Sequence, residues 1–97
     1  MTKKQLKTAS TLEIGKIIKR RRKELSLNKS ARQYFIDDRV NKNILPCDWI
    51  SEKSLSNIEN GYNMPSLLTL KLLSVALEID FIDLLKEIED FILTDLY

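Results

Sequence analysis

The 97 residues carry 16 Lys/Arg against 14 Asp/Glu, a net charge of +2, with 43% hydrophobic residues, two Gly, two Pro and no His. That is enough apolar material for one buried core and too much for a disordered chain. The missing histidine excludes imidazole-based metal sites and His acid–base catalysis. The lone cysteine, Cys47, has no partner for an internal disulfide, which fits a reducing, cytoplasmic setting. Such a residue is most simply small and buried.

The small net charge hides an asymmetry. Residues 1–53 hold 14 Lys/Arg against 6 Asp/Glu, and residues 54–97 hold 2 against 8, so a +8 half is joined to a −6 half. A bipolar domain of this kind suggests one surface that meets an anion, although two solvated helices of opposite charge would give the same count.

Residues 1–9 read as a flexible basic arm with Lys3, Lys4 and Lys7. No apolar run follows it as in a signal peptide. Ser10 to Glu13 spells a capping box, opening a first helix over about 11–25. Its apolar stripe of Ile14, Ile17, Ile18 and Leu25 places Arg22 where a core residue belongs. Lys19, Arg20, Arg21 and Lys23 fall elsewhere and read as a solvated face. A break at Ser26–Asn28 leads into a second helix over about 29–39, with Ala31, Tyr34 and Phe35 on one face. The stretch VNKNILPCDW, 40–49, is irregular, and Pro46 forbids a continuous helix through it. Ile50, Ser51 and Leu55 have the spacing of a hydrophobic staple around an N-cap, so a third helix covers about 52–60. GYNMPS, 61–66, is a loop. A fourth helix, about 66–78, is apolar on most sides and is expected to be central. Asp80 caps a fifth, about 81–96. No segment shows sustained period-2 alternation, so the fold is an all-α bundle of about five helices. The apolar stretches are too interrupted by charge to span a bilayer.

In order, these parts are IGKIIKRRRKELSLN (14–28), WISEKSLSNIENG (49–61), MPS (64–66) and LKLLSVALEID (70–80). Over about residues 12–85 they resemble the helix-turn-helix domain of the lambdoid phage repressor and Cro family, also called the XRE family. The string LSxIExG followed by Pro and LxxLSxAL is the specific part. The resemblance implies a lambda-repressor-like domain over residues 10–97, with an extended C-terminal helix. It implies that Arg22 forms a buried ion pair with Glu59, and a charge on an apolar stripe needs such a partner.

The resemblance also implies that the third helix enters the DNA major groove. Base contacts then fall to Glu52, Lys53 and Asn57. The residue types suit this: Asn pairs with adenine N6/N7, Lys donates to guanine O6/N7, and Glu accepts from cytosine N4. Backbone contacts fall to Asn28 and Lys29, to the cap Ser51, to Ser54 and Ser56, and to Asn60, Tyr62 and Asn63. The other reading of this face is a plain solvated helix.

The chain departs from the family in one place. The spacing between the second and third helices exceeds the usual by roughly a dozen residues. The insertion covers about 36–49. Either the second helix is longer or a loop bulges out. Ile44, Leu45 and Trp49 would cover the domain's own core, or meet a partner subunit or DNA backbone. At the start of the second helix, where the family has Gln, stands Lys29.

The last helix is apolar over about half its circumference, at roughly 100° per residue, which is more than docking on one core requires. The expectation is a homodimer with Leu93, Leu96 and Tyr97 at the contact. Together these features describe a double-stranded DNA-binding transcriptional regulator, a repressor, that needs no cofactor, metal or small-molecule substrate. The alternative is a protein-interaction module on the same fold, an antitoxin or antirepressor working through the fifth helix and the Trp49 loop. An enzyme is disfavoured, because no nucleophile–base pair, phosphate-cradling loop or metal-ligand cluster stands in the sequence.

Overall fold

A computed structural model describes residues 9–94. The basic arm with Lys3, Lys4 and Lys7 lies outside the described residues, as do Leu96, Tyr97 and the side chain of Leu93. Five helices make up the fold: α1 (Ala9–Glu24), α2 (Arg32–Asn41), α3 (Glu52–Glu59), α4 (Leu67–Ala76) and α5 (Phe81–Thr94). Among the described residues there is no strand. No described helix is long and apolar enough to cross a membrane.

Helix α1 is the element the others lean on, touching both α3 and α5. Ile14 and Ile18 are buried on its apolar stripe. The expected capping box is not there. The helix runs through Ser10, which lies on the buried stripe one turn before Ile14. Its hydroxyl donates to the Phe91 carbonyl near the end of α5. A small hydroxyl at this seam lets the two helices close up and gives a late carbonyl of α5 a donor. Arg20 is exposed as expected and Arg21 is half-buried, but neither is unpaired. Both reach Glu87 on α5, with shortest distances of 2.7 and 2.8 Å. One carboxylate of α5 thus gathers both guanidiniums of α1.

The α1–α3 crossing depends on Gly15. A Cβ added there would lie 2.5 Å from the Ile58 carbonyl oxygen and 2.6 Å from that of Glu59. Only a residue without a side chain lets the helices approach this closely.

Helix α2 begins at Arg32, three residues later than the sequence suggests. Ser30's carbonyl accepts from Arg22 Nη1 instead of from a helical N–H. Ala31 is the extended N-cap. The helix buries Phe35, Ile36 and Arg39. Both open alternatives for the insertion are met in part: α2 runs on to Asn41, and residues 42–51 then form a loop.

That loop folds onto the domain's own core. Leu45 and Trp49 are buried, and Trp49 meets Phe35 edge to face with centroids 6.0 Å apart. The Arg39 carbonyl accepts from Ile44 N at 2.9 Å and from Leu45 N at 3.2 Å. Cys47 is exposed, contrary to the expectation of a buried thiol. The chain turns between the two inward anchors, with Trp49 N donating to the Pro46 carbonyl at 3.2 Å, and Pro46, Cys47 and Asp48 ride on the outside.

Arg39 is 1% exposed. Its guanidinium donates to Asp38, to Glu78 at 2.6 Å and to the Ala76 carbonyl at 3.1 Å. It thus ties the end of α2 to the C-terminus of α4, where a cation suits the helix dipole. Burial works against the charge, but the two carboxylates outweigh it and keep the side chain protonated. The hydrogen bond from Arg39 holds the Asp38 carboxyl below its ordinary 3.8, and Lys42 adds to the effect.

Helix α4 is less central than its composition suggests. Leu70, Leu73, Ser74 and Ala76 are buried, while Leu67 and Leu68 are 67% and 69% exposed. It packs on α5, and that covers only one side. In α5, Leu84 and Ile88 are fully buried and Phe81, Leu85, Phe91 and Ile92 pack against the core. Most of the expected apolar excess of this helix is therefore used within the chain, and Ile82 remains exposed. Asp80 caps α5 as expected, accepting from Ile82 N at 2.8 Å.

Two outcomes follow from these contacts. Gly15→Ala should destabilise the fold by about 3 kcal/mol or more, because the obstructing atoms are backbone. Urea unfolding measures it, and an unchanged midpoint would remove the close α1–α3 approach. Asp38→Asn should be less stable than wild type near neutral pH. A carboxyl with a depressed pKa contributes stability above its unfolded value and loses it as pH falls through the folded one. The gap between the two proteins should therefore close below about pH 3.8, which melting curves across an acid series would test.

Candidate nucleic-acid interface

Helix α3 is held at both ends. Ser51 is its N-cap, accepting from Ser54 N at 3.0 Å. At the other end, Gly61 takes φ +84°. Gly61 N donates to the Ile58 carbonyl at 3.2 Å and Tyr62 N to the Asn57 carbonyl at 2.9 Å. These are the paired bonds of a Schellman C-cap, which requires the left-handed conformation that glycine adopts freely. A Cβ at Gly61 would also strike Leu12 of α1.

One face of α3 is locked into the core. Leu55 and Ile58 are buried, and the Glu59 carboxylate is fully so. Arg22 grips it with two bonds, Nε to Oε2 at 2.6 Å and Nη2 to Oε1 at 2.9 Å. The fork-to-carboxylate geometry is the strong form of such a pair. It makes Arg22 and Glu59 mutually satisfied, and no buried side-chain nitrogen or oxygen among the described residues lacks a partner. A second arginine joins them: Arg32 Nε donates to Glu59 Oε1 at 2.9 Å, and its Nη1 lies 4.0 Å from Glu52 Oε2.

With that face fixed, the others are committed to the outside. Glu52 and Lys53 are exposed on the first turn, and Asn57 is half-buried a turn further on. Ser51 and Ser54 are exposed and joined, with Ser51 Oγ donating to Ser54 Oγ at 2.9 Å. Ser56 is half-buried, and its hydroxyl accepts from Asn60 Nδ2 at 3.2 Å. Tyr62 and Asn63 are exposed just beyond the C-cap. The candidate residues 51–63 are therefore gathered on α3 and its two flanks. Asn28 and Lys29 are not at the first turn of α2. They lie in the irregular segment before it, where Lys29 Nζ sits 6.0 Å from the Tyr34 ring centre. The first turn of α2 carries Arg32 and Gln33 instead. A cleft of about 510 Å³ separates α2 from the insertion and the start of α3, with Gln33, Asp37, Asp48 and Glu52 on its rim. Among the described residues no group of His, Cys, Asp and Glu is arranged to hold a metal ion.

Arg32, Arg39 and Gly15 escaped the sequence reading. Arg39 follows Phe35 by four, so the rule that singled out Arg22, a charge on an apolar stripe, applies to it equally. Arg32 carries a different signal: a cation at a helix start opposes the helix dipole and calls for another partner.

The fold and this face define a helix-turn-helix module. The family model for the helix-turn-helix, HTH_3, matches residues 48–84, from the end of the insertion through α3 and α4 into α5. Residues 48–84 are thus similar to a helix-turn-helix of the XRE type, a module of DNA-binding regulators. The matched segment begins at Asp48, leaving α2 and most of the insertion upstream of it. No curated protein matches the chain, and no solved structure does.

Removing either half of the buried pair should be costly. Arg22→Ala and Glu59→Ala should each lose about 3–5 kcal/mol of stability, because each leaves buried charge with too little compensation. Arg22→Ala should fall toward the lower end, since Arg32 still reaches Glu59. Chemical unfolding measures both, and unchanged stability in either would sink the structural role of the pair.

Proposed function

We propose that this chain is a sequence-specific double-stranded DNA-binding protein, a cytoplasmic transcriptional repressor that reads the major groove with α3. Glu52, Lys53 and Asn57 make the base contacts. Ser51, Ser54, Ser56, Asn60, Tyr62 and Asn63 hold the flanking backbone, and Asn28 and Lys29 add contacts from the segment before α2. The observation that carries the reading is the locked inner face of α3. With Leu55, Ile58 and Glu59 fixed in the core, hydrogen-bonding side chains line the outer side of a short, doubly capped helix. Residues 10–97 act as one domain. Two copies join through the C-terminal region, at Leu93, Leu96 and Tyr97, and place two recognition helices about one DNA turn, roughly 34 Å, apart on a near-palindromic site.

A protein-interaction role on the same fold, antitoxin or antirepressor, is the second reading. Trp49 is buried and no longer supports it. Ile82 on α5 and the exposed Leu67 and Leu68 on α4 do.

Selection from a random duplex library, followed by binding across a salt series, separates the two. A regulator should enrich a near-palindromic site and prefer it to random DNA by at least about a thousandfold. Lys53→Ala and Asn57→Ala should each weaken binding to that site by about 1–3 kcal/mol and relax the preference at their own positions. No enriched site, with binding that vanishes in modest salt, would leave only a sticky basic surface.

A further inference from the structure

Arg32 occupies the first position of α2, where its charge opposes the helix dipole and does nothing for α2 itself. Its contacts lie on another element. It donates to Glu59 Oε1 at 2.9 Å, although Glu59 is already gripped by both arms of Arg22. Two guanidiniums therefore share one buried carboxylate at the end of α3, leaving a net positive charge that Arg32 carries toward the first turn of the helix. Glu52, at the first position of α3, is the carboxylate in ion-pair range of that excess, 4.0 Å from Arg32 Nη1. Arg32 is 22% exposed at its side chain and Glu52 is 46%, so the contact lies on the rim between the core and the open face.

A carboxylate turned toward DNA is repelled by phosphate. Two features offset this here: the N-terminal end of α3 favours a negative charge, and Arg32 supplies a cation tied to Glu59 by its own hydrogen bond. At 4.0 Å the contact is electrostatic without a hydrogen bond, so the Glu52 oxygens keep their acceptor sites open. We propose that Arg32 is a positioning residue for Glu52. Anchored on Glu59, it neutralises the Glu52 carboxylate and steadies it at the groove edge, so that Glu52 accepts from the exocyclic amine of a cytosine. The proposal rests on the DNA-reading role given above, and it assigns one base pair in each half-site to the Arg32–Glu52 couple.

Binding selection from random duplexes, run on wild type, Arg32→Gln, Glu52→Gln and the double variant, tests it, with melting curves alongside. Both single variants should lose roughly tenfold discrimination at the same single base pair. The double variant should lose no more than either, and the positions that Lys53 and Asn57 read should stay unchanged. Arg32→Lys should keep part of the preference, since it keeps a cation. If Arg32→Gln weakens every position alike in step with a lower melting temperature, Arg32 is structural only and the proposal fails. A uniform loss of affinity with a salt slope smaller by about one makes Arg32 a phosphate contact, and the proposal fails again. Glu52→Gln alters only an exposed side chain, so it decides the matter even where Arg32→Gln does not fold: a cytosine preference equal to wild type overturns the assignment. Failure of the DNA-reading role itself looks different, because wild type then enriches no site at all.

Discussion

The contact of α1 with the last turn of α3 is the constraint that everything else answers to. A buried arginine and a buried glutamate would each be ruinous alone. Together, with two parallel hydrogen bonds, they are tolerable only if the two helices hold one distance and one rotation. Gly15 sets the distance, because any side chain there would meet the carbonyls of Ile58 and Glu59. The Arg22–Glu59 fork sets the rotation. The same glutamate closes the helix just before Gly61 turns the chain back under Leu12. A buried ion pair is a poor source of net stability but a good way of fixing register. Here the register it fixes is that of the helix whose outer face carries Lys53 and Asn57.

Once α3 is fixed this way, the insertion becomes intelligible. An added loop before α3 threatens to loosen its start. The chain meets the threat by making the loop part of the core: Leu45 and Trp49 point inward, and Trp49 stacks edge-on against Phe35. Arg39 joins loop, α2 and α4 at a single residue. Its carbonyl holds Ile44 and Leu45, and its guanidinium holds Glu78 and the Ala76 carbonyl. The extra length is thus added without an extra degree of freedom at the capping residue Ser51.

Much of this was legible in the residues. The five helices and the caps at Ser51 and Asp80 follow from local signals, apolar spacing and a capping side chain. A charge on an apolar stripe says that Arg22 needs a partner, and the family resemblance is what points to Glu59. What escaped was set by neighbours distant in sequence. Ser10 has the signature of a cap, yet the buried stripe carries it into the seam with α5, where the Phe91 carbonyl needs a donor. Gly15 looks like a weak point in a helix until the carbonyls of α3 are brought to it. Helix α4 is apolar all round, but α5 covers only one of its sides, and nothing local says which leucines stay outside. Cys47 went wrong because burial in a loop is decided by its anchors. Leu45 and Trp49 take the inside, and the residues between them are left out.

The same contacts change what the basic half of the chain can do. All five arginines of the sequence, Arg20, Arg21, Arg22, Arg32 and Arg39, stand in ion pairs with carboxylates of this chain. Their planar forks suit them to fixed bidentate or shared contacts. The exposed Lys23, Lys29 and Lys53 are compact, hydrated charges on flexible stems. Arginine therefore does most of the joining between helices, and exposed lysines such as Lys23, Lys29 and Lys53 supply the field around the domain. A charge count overstates that field, because glutamates of α3 and α5 neutralise arginines of α1 in the fold as they do in the sum. Any grip on an anionic partner must then come from directional groups on α3 and its flanks more than from bulk positive charge. That division supports the proposed reading of specific sites over general polyanion binding.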